Sequence, residues 1–500
     1  MVSTLEILNS QFNIEMKALF LFFLIGLAMF SSGQTFNKRL TFSEAINSEG
    51  RNCFQTSDAY IFFSAYLDSM SNIRGGNIRV DENGDILSQS TIHSDSVQLY
   101  LGYYGNFDHF EGGFVSCGNY YATPTSIVQG EIIRFDEHGD TLWTKIYDAP
   151  IGEEVYLYKA LKVWDGIVAC GSYFPVGGTA TSALLLKFDN EGNFLWRKNY
   201  LYTQQADVSL NLVSAVATPD GGYILGGVKI GDNWDHMVIK TDSLGNQIWR
   251  KYEGDGYDNL FAMVCNTADG NYIFGGMDQN AYQYHARSQI TKINANGIFA
   301  WTKFFGEEGP DCWVYAIKQM PDGGFVFCGA DRSSWSLYGY ICRIDAEGNE
   351  MWYRKYQQME DVWVWASDVV HTTDNGFLLT GLIETTSDLS SGIWALKLDS
   401  MGCLIPGCEV GIIEADKLAA MRIYPNPADE FINVFVESKN LHNCEMILYD
   451  LQGKEIYCTT IRESGNTWMM NSATLPTGIY LLNLSLDGEV VASEKVVIRH

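Results

Sequence analysis

Leu185-Leu186-Lys187-Phe188-Asp189-Asn190-Glu191-Gly192-Asn193-Phe194-Leu195-Trp196-Arg197-Lys198-Asn199-Tyr200 is the stretch whose reading decides the fold. It reads as two short strands joined by a tight turn. Asp189 and Gly192 supply the turn chemistry, Leu186 and Phe188 alternate before it, and Trp196, Lys198 and Tyr200 alternate after it. The pattern returns at Ile239–Tyr252, and its turn glycine recurs at Gly84, Gly139, Gly192, Gly245, Gly297, Gly348 and Gly402, 51 to 55 residues apart. These are seven copies of one unit.

Upstream in each copy lies a second hairpin. In one it runs Leu212–Ala217, then Thr218-Pro219-Asp220-Gly221, then Gly222–Gly227; Pro321-Asp322-Gly323 and Asp374-Asn375 mark its relatives. Asp-Gly between alternating apolar residues is a strong hairpin signal. Each unit therefore holds four antiparallel strands, a to d. One such sheet cannot bury both its faces, whereas sheets packed radially can, so the repeat predicts an all-β chain built on a seven-bladed β-propeller over residues 34–405. Period-two patterning and glycine turns exclude a helical solenoid, and a parallel β-helix needs a shorter repeat.

Closure follows from the same pattern. The last copy stops at Gly402 and breaks at Pro406, before its outer strand. Residues 34–42 carry the missing alternation, with Phe36 in the tryptophan slot and Lys38 in the lysine slot, so they are expected to supply strand d of the seventh blade and remove its open edge. Trp143, Trp196, Trp249, Trp301 and Trp352 recur in register and mark packing between blades. The Asp-x-x-Gly-x-x-x-Trp turn resembles the tryptophan turns of quinoprotein-type propellers and the Asp-box of sialidase-type propellers. With spacing one residue different from both, the resemblance supports the architecture and transfers neither quinone binding nor glycoside hydrolysis.

At the amino end, Met16-Lys17 precede the apolar run Ala18–Phe30 and the small residues Ser31-Ser32-Gly33. That run is too short to span a membrane comfortably, and residues 1–33 read as a secretory signal peptide, with 1–15 an upstream mis-start or extended leader. A net charge of -27 repels nucleic acid and anionic membranes. Apolar content of 46% and aromatic content of 14% argue against disorder. Eleven cysteines are an odd number for an oxidising compartment. Cys117, Cys170 and Cys328 share a repeat slot filled by Gly226, Gly275 and Thr380 elsewhere, so they are expected as packed thiols. Cys403 and Cys408 bracket a short loop and are the first disulfide candidates; Cys444 and Cys458 are a weaker pair.

After a linker over residues 406–420, short strands alternate through residues 421–500 and predict a small Ig-like β-sandwich. Here the motifs Tyr424-Pro425-Asn426-Pro427-Ala428, Tyr449-Asp450-Leu451-Gln452-Gly453-Lys454, Leu475-Pro476-Thr477-Gly478-Ile479-Tyr480 and Lys495-Val496-Val497-Ile498 occur in order. This segment resembles the type A C-terminal sorting domain of cargo of the bacterial type IX secretion system. The resemblance implies passage through the periplasm, translocation by the type IX machinery, removal of the domain by its sortase, and release or attachment at the outer-membrane surface. Arg499 and His500 extend past the usual basic-apolar finish.

Function is expected on the b–c and d–a connections, which vary while the turns repeat. They offer Tyr120, Tyr121, Asp232, Trp234, Glu253, Asp255, Tyr282, Tyr284, His285, Trp335 and Tyr338, a set suited to glycan or protein ligands. Glu154, Asp207, Asp258, Asp311 and Asp361 recur near the start of strand a and could ring the channel around a hard cation such as Ca²⁺, or each could pin a loop. No other cofactor is expected. None of the common metalloprotease, serine-hydrolase, redox or phosphate-binding motifs occurs, and the chain is expected to be a binding or adhesion module rather than an enzyme. The alternatives are a hydrolase of glycans or peptides using loop-face carboxylates, and a spacer without ligand.

Overall fold

The computed structural model describes residues 34–92, 98–101, 107–121, 127–175, 177–202, 207–254, 256, 258–280, 285–306, 311–333, 336–357, 362–404, 419–438, 444–450, 454–461, 467–486 and 489–500. The proposed signal peptide lies outside them. Two compact units divide at Leu404 and Ile405.

The first unit contains seven antiparallel sheets among the described residues, six of four strands and one of five. Sheet three shows the plan: a is Glu153–Val163, b Gly166–Pro175, c Ser182–Phe188 and d Phe194–Tyr200. Sheet two departs from it, since its inner strand is split into Gln98–Leu101 and Asp108–Phe110, both paired with Gly113–Tyr121. Strand a of each sheet contacts the sheet before it, and Ala45–Gln55 of sheet one contacts Val362–His371 and Phe377–Thr385 of sheet seven, so the sheets form a ring. Phe36–Leu40 completes sheet seven beside Ser391–Leu398, with Phe36 opposite Lys397 and Lys38 opposite Ala395. In sheet three the same register sets Trp196 opposite Lys187 and Lys198 opposite Leu185.

The c–d turns explain the repeat. Asp189 Oδ1 accepts the backbone N–H groups of Glu191 and Asn193 at 3.0 and 2.7 Å, and Gly192 adopts φ 79°. A β-carbon on Gly192 would lie 2.6 Å from the Trp143 ring of the preceding sheet. Gly245, Gly297, Gly348 and Gly402 sit equally close under Trp196, Trp249, Trp301 and Trp352, and Gly84 sits under Phe36. The recurring tryptophans thus roof the next sheet's turn, where both the positive φ and the space demand glycine.

A second device was not read from the sequence. The basic residue just before each c–d turn runs back under the a–b turn and pairs with its aspartate. Arg79–Asp58 (3.0 Å), Lys240–Asp220 (2.8 Å), Lys292–Asp269 (2.7 Å), Arg343–Asp322 (2.5 Å), Lys397–Asp374 (2.7 Å) and Lys187–Asp165 repeat around the ring. Sheet two differs: Arg134 donates to the Phe114 carbonyl at 3.0 Å and lies over the Phe110 ring at 4.1 Å.

Cys117, Cys170 and Cys328 are fully buried in apolar clusters. Cys403 is disulfide-bonded, and its expected partner Cys408 lies outside the described residues. The weaker pair is corrected by register: Cys444 faces Ile461 and Cys458 faces Ile447, leaving the two cysteines three positions apart along the ladder. That offset of about 10 Å exceeds what a disulfide spans.

In the second unit, one sheet orders Ala419–Tyr424, Phe431–Ser438 and Thr467–Asn471, and the other orders Glu455–Ile461, Cys444–Tyr449, Gly478–Leu486 and Glu489–Ile498. Val434, Leu448, Leu482 and Val496 are among the side chains buried between them.

Candidate functional site

Strand a shows the same irregularity in six sheets. Its register slips by one residue between Gly50 and Asn52, Leu157 and Lys159, Leu212 and Ser214, Leu260 and Met263, Val314 and Ala316, and Ala366 and Asp368. A bulge re-aims the extra side chain. In sheet one that residue is Arg51, whose guanidinium pairs with Glu49 at 2.9 Å, donates to the Tyr100 hydroxyl at 2.9 Å and lies 5.2 Å from the Tyr100 ring centre. Trp365 Nε1 reaches Glu49 Oε1 at 3.4 Å. Trp365, Glu49, Arg51 and Tyr100 thus join sheets seven, one and two. Arg51, Glu49 and Tyr100 line a cavity of about 160 Å³ with Asn47, Tyr66 and Leu382 on the b–c and d–a side.

Deeper in the ring, Asp368 is buried, accepts from Asn52 Nδ2 at 2.9 Å and lies 3.6 Å from Lys318 Nζ. That carboxylate holds the Lys318 ammonium above its ordinary pKa. Lys159, which donates to the Phe107 carbonyl at 2.9 Å, is pushed the other way by burial.

Of the expected loop residues, Tyr120 and Tyr121 end strand b of sheet two, both half-buried. Burial, followed by its hydrogen bond to Glu154, raises the Tyr156 phenol, and Tyr121 and Tyr158 add to the shift. Asp232 is exposed, Trp234 is half-buried in sheet four, and Tyr338 stands opposite Asp331 in sheet six, so these three do not join the Arg51 group. Glu253 Oε1 accepts from the Thr302 hydroxyl at 2.8 Å, and burial raises its carboxyl. His285 begins a strand. Tyr282, Tyr284, Trp335 and Asp255 lie outside the described residues.

Four of the five carboxylates proposed as a metal ring are engaged locally. Glu154 accepts from Tyr156 at 2.9 Å, Asp207 from the Thr179 hydroxyl at 3.1 Å, Asp258 from the Trp234 N–H at 3.1 Å and Asp311 from the Ala286 N–H at 2.9 Å. In the last three, an acid at or just before the start of strand a ties down the start of strand c of the preceding sheet or, for Asp207, the b–c connection leading into it, which is the loop-pinning role. Asp361 lies outside the described residues. Among those described, no three His, Cys, Asp or Glu side chains converge as a metal site.

In the second unit the motif residues form a tie. Asn426 Nδ2 donates to the Lys495 carbonyl at 2.6 Å, and Asn426 Oδ1 accepts the Val497 N–H at 2.8 Å, so one side chain imitates a backbone pairing with the terminal strand. Pro425 and Pro427 flank it, and Ala428 continues the pairing with Val497. Gly478 opens a strand in which the Tyr480 hydroxyl donates to the Pro476 carbonyl at 2.8 Å. Gly453 lies outside the described residues. The His500 ring meets Asp429 at 2.7 Å and the Leu475 carbonyl at 2.9 Å, and the Asp429 bond raises its pKa.

The ring of sheets defines a β-propeller, followed by a β-sandwich. Residues 422–499 match the secretion system C-terminal sorting domain family, and this is an exported propeller protein, carried by type IX secretion to the cell surface or beyond it. Among the described residues no helix is long and apolar enough to cross a membrane. A comparison with curated proteins found no match. Similar solved structures include the β-propeller domain of the Trilobed protease from Pyrococcus furiosus, at 10% identity and a TM-score of 0.40, covering 71% of this chain and 94% of that one. They also include Pyrococcus horikoshii acylaminoacyl peptidase, at 10% identity and a TM-score of 0.40, covering 79% of this chain and 59% of that one. A Mycobacterium tuberculosis puromycin-hydrolyzing peptidase matches at 8% identity and a TM-score of 0.41, covering 81% and 60%. The chain therefore spans about three fifths of these two peptidases. Because such matches are peptidases, the expectation that this chain is not an enzyme is withdrawn. At these identities they assign it no reaction.

Proposed function

We propose that this exported propeller is a recognition module at the cell surface or in the medium, binding a glycan or protein ligand at the Arg51 cavity on the b–c and d–a side. The observation behind this reading is the Trp365–Glu49–Arg51–Tyr100 chain, which sets a buried, stacked arginine and indole beside a cavity at the junction of three sheets. Aromatic faces beside fixed polar groups suit oriented recognition. Glycan and peptide arrays probed with the chain from Gln34 to His500 test it. Binding should weaken at least tenfold in Trp365→Ala. An unchanged signal in that variant, or none on either array, removes the proposal.

The maturation steps are part of this reading. Residues 1–33 leave as a signal peptide, residues 34–405 form the working propeller, residues 406–420 act as linker, and the sortase cuts there to free residues 421–500. Intact-mass measurement of the extracellular form is expected to give a start at Gln34 and an end between residues 406 and 420. A species that retains Lys495 outside the cell would count against sortase removal.

A further inference from the structure

Two departures from the repeat meet at one place, on the opposite face of the ring. The first is Trp164, in the a–b turn of sheet three, 84% exposed. The corresponding turns place Ser57, Pro219, Ala268, Pro321 or Thr373 there, and Asp165 still makes the repeat ion pair with Lys187, so the turn needs nothing from an indole. A lone exposed apolar side chain is ordinary on a protein surface, but this one lines a cleft. The second departure is the split inner strand of sheet two. Its end, Asp108–Phe110, sets His109 and Phe110 beside a turn in which Glu111 stands where an aspartate would pair with Arg134. Phe110 is occupied instead by cations, Arg134 at 4.1 Å and Lys162 at 4.7 Å from its ring centre. Trp164 and the His109–Glu111 segment line one cleft of about 690 Å³, with Lys162 and Thr218 at its edge.

We infer that this cleft is a second binding site, for a neutral saccharide stacked on Trp164. A pyranose presents an apolar C–H face of slight positive charge, which matches the negative face of an indole. Its hydroxyls need donors and acceptors at the rim, which Lys162 and Glu111 supply. The volume is of the size that small-molecule sites have. An anionic polymer is disfavoured by the chain's charge of -27. A peptide bound through its backbone would need an open strand edge, and the nearby turn is self-paired, with Gly221 N–H on the Thr218 carbonyl and Thr218 N–H on the Gly222 carbonyl. The site lies on the a–b turn face and does not depend on the Arg51 group.

Affinity electrophoresis of the chain from Gln34 to His500, in gels cast with neutral β-glucan, xylan or mannan, tests it. At least one polymer should retard the protein. Trp164→Ala should weaken that retardation at least tenfold, Trp164→Tyr should keep most of it, and Trp365→Ala should leave it unchanged. The exposed turn position makes misfolding of Trp164→Ala a simple control by thermal melt. No retardation by any of the three, retardation unaffected by Trp164→Ala, or retardation lost in Trp365→Ala instead would each overturn the inference. Retention by peptide ligands through Trp164 would do so as well.

Discussion

Deleting residues 34–41 from the chain is expected to strip the propeller of most of its stability, and a synthetic peptide of residues 34–42 is expected to restore much of it. The strand Phe36–Leu40 buries Phe36 and Leu40, worth roughly 1.5–3 kcal/mol each. Its ladder bonds to Ser391–Leu398 add about 1 kcal/mol apiece. Asn37 Oδ1 accepts the indole N–H of Trp394 at 2.8 Å, a side chain with no exposed surface, so deletion also orphans a buried donor at about 1–3 kcal/mol. The total is on the order of 10 kcal/mol, comparable with the whole stability of a typical domain. The deletion also uncovers Ser391–Leu398, a strand buried along its full length, as an open edge prone to pairing with other chains. Urea unfolding followed by circular dichroism should show a large fall in midpoint, with soluble yield falling too. Strand addition in trans should raise the midpoint with peptide concentration, and a peptide carrying Phe36→Asp should fail. A truncated chain that unfolds at the wild-type midpoint would show that the ring does not depend on this closure.

That closure was legible because Phe36 and Lys38 keep the spacing of Trp196 and Lys198 although some 160 residues separate the copies. The turns were legible for a similar local reason: Asp189 and Gly192 act within five residues, so their chemistry is written in adjacent letters. The ion pairs were hidden. Lys187 and Lys397 read as polar positions of an alternating strand, and a lone sequence does not show that an ammonium runs back beneath the a–b turn. The Arg51 group was hidden by distance, since Trp365 meets Glu49 across 316 positions and both lie on strands, whereas function was expected on loops. The recurring acids could be found by pattern, but whether they faced each other or capped a neighbouring loop depended on the tilt of sheets around the ring. Trp164 carried a signal that could have been used: it is a large apolar residue at a turn position where sister copies have Ser57, Pro219, Ala268, Pro321 and Thr373.

Asp374→Ala is expected to be among the most destabilising surface-turn substitutions in the propeller, costing about 3–5 kcal/mol, although the residue itself reaches solvent. Its partner is the reason. The Lys397 side chain has no exposed surface, and its ammonium is held by Asp374 Oδ2 at 2.7 Å and the Leu398 carbonyl at 2.9 Å. Removing the carboxylate leaves a buried cation with one neutral acceptor. Lys397→Met should cost less, because it removes the charge and keeps the volume, and Asp374→Ala with Lys397→Met should recover most of the single-variant loss, giving a large coupling in a double-mutant cycle. The same pairing sets the acid limit of the ring. The carboxyls of Asp58, Asp220, Asp269, Asp322 and Asp374 all sit below their ordinary value, Asp220 at about 2, with hydrogen bonds and their cations outweighing burial. A carboxyl depressed in the folded state stabilises fully above its unfolded pKa of about 3.9 and loses that contribution as pH falls through the folded value. Each lost carboxylate leaves its buried cation without a counter-charge. Unfolding in moderate urea should therefore steepen between about pH 4 and pH 2 in the wild type, and Lys397→Met should lessen that dependence by one pair's share. Superimposable acid profiles, or a coupling energy near zero, would mean the repeat ion pairs are bystanders and the a–b turns are held by their backbone bonds alone.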